Sequence, residues 1–125
     1  KRLECVVVPG TSALFAELAG ELGAYFRGGL TEFSLPLRIP GTEFQRQVWA
    51  GLCDIAPGDT LSYGSLAVRL RRASAVRAVG LANGANPVGL VVPCHRVIGA
   101  DGRMTGYAGG LWRKEKLIRI EAAYA

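Results

Sequence analysis

The run Pro93-Cys94-His95-Arg96-Val97 constrains this chain more than any other feature. It follows a short apolar stretch, Val88 to Val92, and it holds the only histidine of the sequence. The pattern reads as a strand running into a turn. A fold for this chain has to present a cysteine beside a histidine at that turn, the setting in which a thiol can be made into a thiolate nucleophile.

At 125 residues the chain is one domain, or one domain plus a fragment. That length buries a core of roughly two-thirds of the unfolded surface. Half the residues are hydrophobic and a fifth are charged, as in an ordinary soluble globular protein. No run of about 18 apolar residues is present, so no membrane span is expected. The start, Lys1-Arg2-Leu3-Glu4-Cys5, lacks the long apolar region of a signal peptide. The expected location is cytoplasmic, or nuclear in a eukaryote, and not secreted. Three cysteines do not suggest a disulfide framework. Cys5 and Cys53 have no CxxC partner, and one histidine is too few for the usual zinc spacings, so no metal site is expected. Both read as small hydrophobes, Cys53 within the helical pattern Trp49, Leu52, Cys53, Ala56.

The net charge of +5 is unevenly placed. From Leu61 onward the basic residues are Arg69, Arg71, Arg72, Arg77, Arg96, Arg103, Arg113, Lys114, Lys116 and Arg119, against Asp101, Glu115 and Glu121. The first part of the chain is slightly acidic. A basic C-terminal half is the electrostatic footprint of a phosphate-backbone binder, although many basic faces are merely solvated.

Leu3 to Val8 reads as a strand stopped by Pro9-Gly10. Thr11 or Ser12 can cap a helix to about Phe26, with Leu14, Phe15, Leu18, Leu22, Tyr25 and Phe26 at helical spacing and Gly28-Gly29 at its end. Leu30 to Ile39 is an extended linker. Thr42 can cap a helix carrying Phe44, Val48, Trp49, Leu52 and Ile55 on one face, and Pro57-Gly58-Asp59 is a turn. Two short helices follow, Ser65 to about Leu70 and Ala75 to about Asn83, in a helix-turn-helix pattern. Leu111 to Ala122 is a last helix, with Leu117, Ile118 and Glu121 turned inward.

Together the Asn86-Pro87 pair, the Pro93-to-Val97 run and Met104-Thr105-Gly106-Tyr107-Ala108-Gly109-Gly110 resemble the active-site signature of the O6-alkylguanine-DNA alkyltransferases. The resemblance runs from about Phe44 to Glu121. It implies a mainly α fold with short strands (α+β), in which a winged-helix-like helix-turn-helix domain over 41–125 follows a truncated remnant of an N-terminal α/β domain over 1–40. The implied partner is double-stranded DNA containing O6-alkylguanine, met as a monomer, with no cofactor and no membrane.

The resemblance also implies roles. Cys94 is the nucleophile, His95 takes its proton through a water, and Glu121 orients the imidazole, a relay with the logic of a protease triad. Asn86 holds the active-site turn, where a plain turn-forming Asn-Pro is the alternative. The lesion must leave the duplex before Cys94 can reach it. Arg77 matches the arginine that fills the vacated space, and Tyr63 the tyrosine that promotes rotation and donates to the guanine ring. Ala75, Ala78 and Gly80 let the second helix approach a narrow minor groove, and Arg96 is grouped with these DNA-contacting residues. Val97, Tyr107, Ala108 and Gly109 close the pocket. Lys114 matches a lysine that aids the thiolate; an exposed helix lysine is the alternative. The turn between the two short helices has Ala73 in place of the common proline, and Val76 is bulkier than the alanine often found before the arginine. Two other functions remain: an alkylation-responsive DNA-binding or lesion-signalling module, and a Cys-His hydrolase with turnover.

Overall fold

The computed structural model describes residues 13–29, 33 and 39–124. The expected strand Leu3–Val8 and most of the linker Leu30–Ile39 lie outside the described residues. The order of elements is α1 (Ala13–Phe26), α2 (Glu43–Cys53), β1 (Leu61–Ser62), α3 (Tyr63–Arg69), α4 (Val76–Gly84), β2 (Val97–Ile98) and α5 (Leu111–Tyr124), with 3₁₀ turns at Ala73–Ala75 and Cys94–Arg96. The fold is mainly helical with short strands, as the sequence implies.

Each helix boundary has a local cause. Thr42 closes a capping box on α2: its hydroxyl accepts from Gln45 N at 3.1 Å while Gln45 Oε1 accepts from Thr42 N at 2.9 Å. Ser62 caps α3 by accepting from Ser65 N at 3.0 Å, so this helix starts at Tyr63, two residues before the position expected. Gly28 ends α1 at φ 79°, with Gly29 N donating to Ala24 O and Gly28 N to Tyr25 O. The same closure ends α3, where Arg72 N donates to Ala67 O and Arg71 N to Val68 O. There the left-handed position is filled by Arg71, at φ 58°. A non-glycine residue in that conformation costs about 1 kcal/mol, which the tight turn into α4 imposes.

The core is built by α2, α3 and α4. Val48, Trp49, Leu52, Ile55, Leu66, Ala67, Val79, Ala82, Val92 and Val97 are buried together. Trp49 Nε1 donates to Ala82 O at 2.9 Å and so fastens α2 to α4. β1 and β2 pair in parallel, Leu61 opposite Val97. This pairing joins the residues ahead of the helix-turn-helix to those that follow Cys94, so the two helices and the candidate nucleophile belong to one packed unit.

Three expectations change. Val88 to Val92 is not a strand: Leu90 sits at φ 73° and only an isolated bridge, Gly89 to Val92, forms. Cys53 is exposed at the end of α2 rather than packed as a small hydrophobe. On α5 the inward stripe is Lys114, Leu117 and Glu121, with Ile118 only half-buried. Among the described residues no helix is long and apolar enough to cross a membrane.

Candidate active site

Pro93 makes the turn that aims Cys94. Its φ of −81° and ψ of 63° are those of an inverse γ-turn, closed by Cys94 N donating to Val92 O at 2.8 Å. Asn86 holds the same carbonyl: its Nδ2 donates to Val92 O at 2.8 Å, and its Oδ1 accepts from Val88 N at 3.0 Å. The loop between Asn86 and Cys94 is therefore clamped at both ends by one side chain. Cys94 then opens a 3₁₀ turn whose three residues, Cys94, His95 and Arg96, are all buried.

Around Cys94 lies a cavity of about 740 Å³, lined among others by Asn83, Asn86, Pro87, Tyr107, Ala108, Gly109 and Trp112. Gly109 has to be glycine here, because a Cβ would lie 2.8 Å from the Tyr107 ring. Burial pushes the Cys94 thiol up from its ordinary range, while the Asn86 hydrogen bond, the Lys114 charge and the local backbone pull it back. The net shift is upward, so the resting group is a thiol and needs a base.

His95 supplies one. It is fully buried, and its Nε2 lies 2.7 Å from Glu121 Oε2. Burial would push the Glu121 carboxyl up, but hydrogen bonds from His95 and Arg96, with Tyr25 adding, hold it down at about 2. Glu121 is thus an ionised acceptor. The imidazole must carry its proton on Nε2, which leaves Nδ1 as the basic lone pair. Among the described residues Nδ1 has no hydrogen-bond partner. Protonating it would place an imidazolium against a carboxylate already in position to stabilise it.

Arg96 is corrected from DNA contact to internal support. It is 6% exposed, its Nε and Nη2 donate to Glu121 Oε1 and Oε2 at 2.8 and 2.9 Å, and its Nη1 donates to Ile55 O. Three of its five guanidinium N–H donors are engaged inside the protein. Val97 is likewise a core residue, 0% exposed and paired with Leu61, and does not line the cavity.

Lys114 is fully buried and is not an exposed helix lysine. Its Nζ donates to Thr105 O at 2.5 Å and lies 6.0 Å from the centre of the Tyr63 ring. Tyr63 Oη donates to the same carbonyl at 3.2 Å. Gly80 faces the Tyr63 ring, where a Cβ would stand 3.7 Å away in ordinary contact. Ala75 is half-buried, whereas Arg77 and Ala78 are exposed at the start of α4. With Arg96 and Lys114 turned inward, the other eight basic residues of the C-terminal half are all exposed.

Sequence reasoning missed Tyr25, Asn83 and Trp112. The signal for the first two was a polar group on an apolar stripe: Tyr25 after Leu18 and Leu22, and Asn83 beside Val79 and Ala82. Asn83 is 2% exposed, lines the cavity and reaches Cys94 O at 3.5 Å. Trp112 stands at the cavity with the Arg113 guanidinium 4.4 Å from its ring centre. Nothing in the local sequence marks it.

A helix-turn-helix body thus seats a buried cysteine beside a histidine bonded to a buried carboxylate. A model of the 6-O-methylguanine DNA methyltransferase DNA-binding domain matches residues 43–123. The methylated-DNA–protein-cysteine methyltransferase of Mycolicibacterium paratuberculosis is 54% identical over 111 residues, 89% of this chain and 67% of that protein. The protein of the same name in Methanosarcina mazei is 52% identical over 107 residues, 86% of this chain and 68% of that one. A crystal structure of Mycobacterium tuberculosis OGT in complex with DNA superposes with a TM-score of 0.85 at 50% identity, covering 89% of this chain and 69% of that one. The chain belongs to the 6-O-methylguanine DNA methyltransferase family.

Proposed function

We infer that this chain repairs DNA by taking an alkyl group from O6-alkylguanine onto Cys94, once per molecule. The observation that carries the reading is the 2.7 Å bond between His95 Nε2 and Glu121 Oε2 beside a buried cysteine on a large cavity. His95 Nδ1 takes the thiol proton, directly or through a water. The sulfur then attacks the alkyl carbon as the bond from that carbon to O6 breaks. The electron pair leaves with guanine, which takes a proton, and the C–S bond of the thioether that remains is not cleaved by hydrolysis or thiol exchange.

The substrate reaches the cavity from DNA. The eight exposed basic residues of the C-terminal half supply a sequence-independent attraction to phosphates. Arg77 stands exposed on the first turn of α4, the position from which a side chain enters the stack when a base rotates out. Lesion-containing duplex DNA is the partner, and a monomer suffices because every residue of the relay comes from one chain.

The test is mass spectrometry after incubation with a duplex holding one O6-methylguanine. The expected product carries one methyl group, mapped to Cys94. Cys53 is the internal control, since it is exposed while Cys94 is buried. Non-selective thiol reactivity would label Cys53 first, and that result, or repeated turnover, overturns the reading.

A further inference from the structure

Tyr25 belongs to α1, far in sequence from the relay, yet its hydroxyl donates to Glu121 Oε2 at 2.6 Å. That oxygen is the one that faces His95 Nε2 at 2.7 Å, and it also accepts from Arg96 Nη2 at 2.9 Å. Tyr25 is 1% exposed, the only buried residue of its helix, and Phe33 stacks on its ring with centroids 5.7 Å apart. The ring is anchored, and the hydroxyl ends on the oxygen that matters to the imidazole. We propose that Tyr25 is a positioning residue for thiol activation, holding the Glu121 carboxylate in the orientation that aligns His95 as the base for Cys94. The proposal rests on the relay reading given above.

Two physical consequences separate this role from packing. Arg96 grips both carboxylate oxygens, so without a counter-donor Glu121 can turn toward the guanidinium and away from the imidazole. The second consequence is electronic. An oxygen that has lost a donor presents more charge to His95 and holds the imidazole proton more strongly. The neutral base then survives only at higher pH, and the acid limb of the rate profile moves up. The other titratable or charged groups around the relay are Cys94, His95 and Arg96 of the 3₁₀ turn, Tyr107 of the loop before α5, and Lys114 and Glu121 of α5. Of these, Tyr25→Phe directly alters only Glu121, which loses one donor.

The experiment is single-turnover methyl transfer to the full chain from a duplex with one O6-methylguanine, from about pH 5.5 to about pH 9. Rate and final extent are read separately, so a lower folded fraction shows in the extent alone. Tyr25→Phe is expected to reach the parent's extent per folded chain, about tenfold more slowly, with the acid limb raised by about half a unit. Replacing Tyr25 by 3-fluorotyrosine, a more acidic phenol of nearly the same size, is expected to move the limb the other way, and covers the case in which Tyr25→Phe folds poorly. Rates and limbs within twofold of the parent in both variants overturn the proposal. His95→Ala and Glu121→Gln run alongside. If they react at the parent rate, the relay reading itself falls; if they are slow while the Tyr25 variants are parental, only the role of Tyr25 falls.

Discussion

Tyr63 Oη and Lys114 Nζ both donate to the carbonyl oxygen of Thr105, at 3.2 and 2.5 Å. A residue opening the helix-turn-helix and a residue of the last helix thus grip one point of the glycine-rich loop that borders the cavity. The loop has no regular structure between Arg103 and Tyr107, so its position depends on such grips. Lys114 also places a buried positive charge near Cys94.

Lys114→Met tests both duties. Burial pushes the Cys94 thiol up and the lysine charge pulls it down, so removing that charge raises the thiol further. Methyl transfer at neutral pH is expected to fall several-fold and to recover as the pH rises and thiolate forms. Loss of the charged hydrogen bond should cost about 1.5–3 kcal/mol of stability. Rates across pH, with urea unfolding alongside, check both; a rate deficit that persists unchanged at high pH would rule out the electrostatic part.

Glu121 makes stability depend on acid. Its carboxyl sits at about 2 in the folded protein, below its ordinary value of 4.5. A depressed carboxyl contributes stability that is present above about 4.5 and is lost as pH falls toward 2, at most about 3 kcal/mol. Glu121→Gln lacks this titration and leaves Arg96 buried without its carboxylate, which should cost about 3–5 kcal/mol at neutral pH. The gap between parent and variant in urea unfolding is expected to narrow from about pH 4.5 downward. Curves that stay parallel through that window would assign the acid sensitivity elsewhere.

Arg77→Ala is expected to slow repair in duplex DNA much more than reaction with free O6-benzylguanine, which needs no base extrusion. The ratio of the two rates is the readout. An unchanged ratio would make Arg77 a phosphate contact only, and its effect would then fade with added salt.

Trp49→Phe keeps the ring in the core and removes the indole donor to Ala82 O. Ala82 O keeps its bond from Ala85 N at 3.2 Å, so the loss is that of one hydrogen bond, about 0.5–1.5 kcal/mol. The urea midpoint is expected to fall while the methyl-transfer rate of the folded protein stays within about twofold, since Trp49 does not line the cavity.

Local chemistry was legible in the sequence where the cause is itself local. Thr42 ahead of α2, Gly28 after α1, and the stripe Val48, Trp49 and Leu52 each act within a turn or two of chain, and each stands where it was expected. The run around Cys94 and the Asn86-Pro87 pair pointed to the family, because its chemistry demands particular side chains in a short segment. The direction taken by the charged residues was not legible. Arg96 looks in sequence like a member of a basic DNA-facing set but is buried on Glu121 and Ile55, and Lys114, whose alternative reading is an exposed helix lysine, is buried on Thr105. Val97 reads as pocket wall and is core, because its strand pairs with Leu61. Tyr25 reads as one more apolar helix position and meets the catalytic carboxylate. A buried charge is tolerated only where partners from distant parts of the chain converge on it. Composition and spacing carry no record of that convergence, so only the tertiary packing could decide which cations face DNA and which hold the active site together.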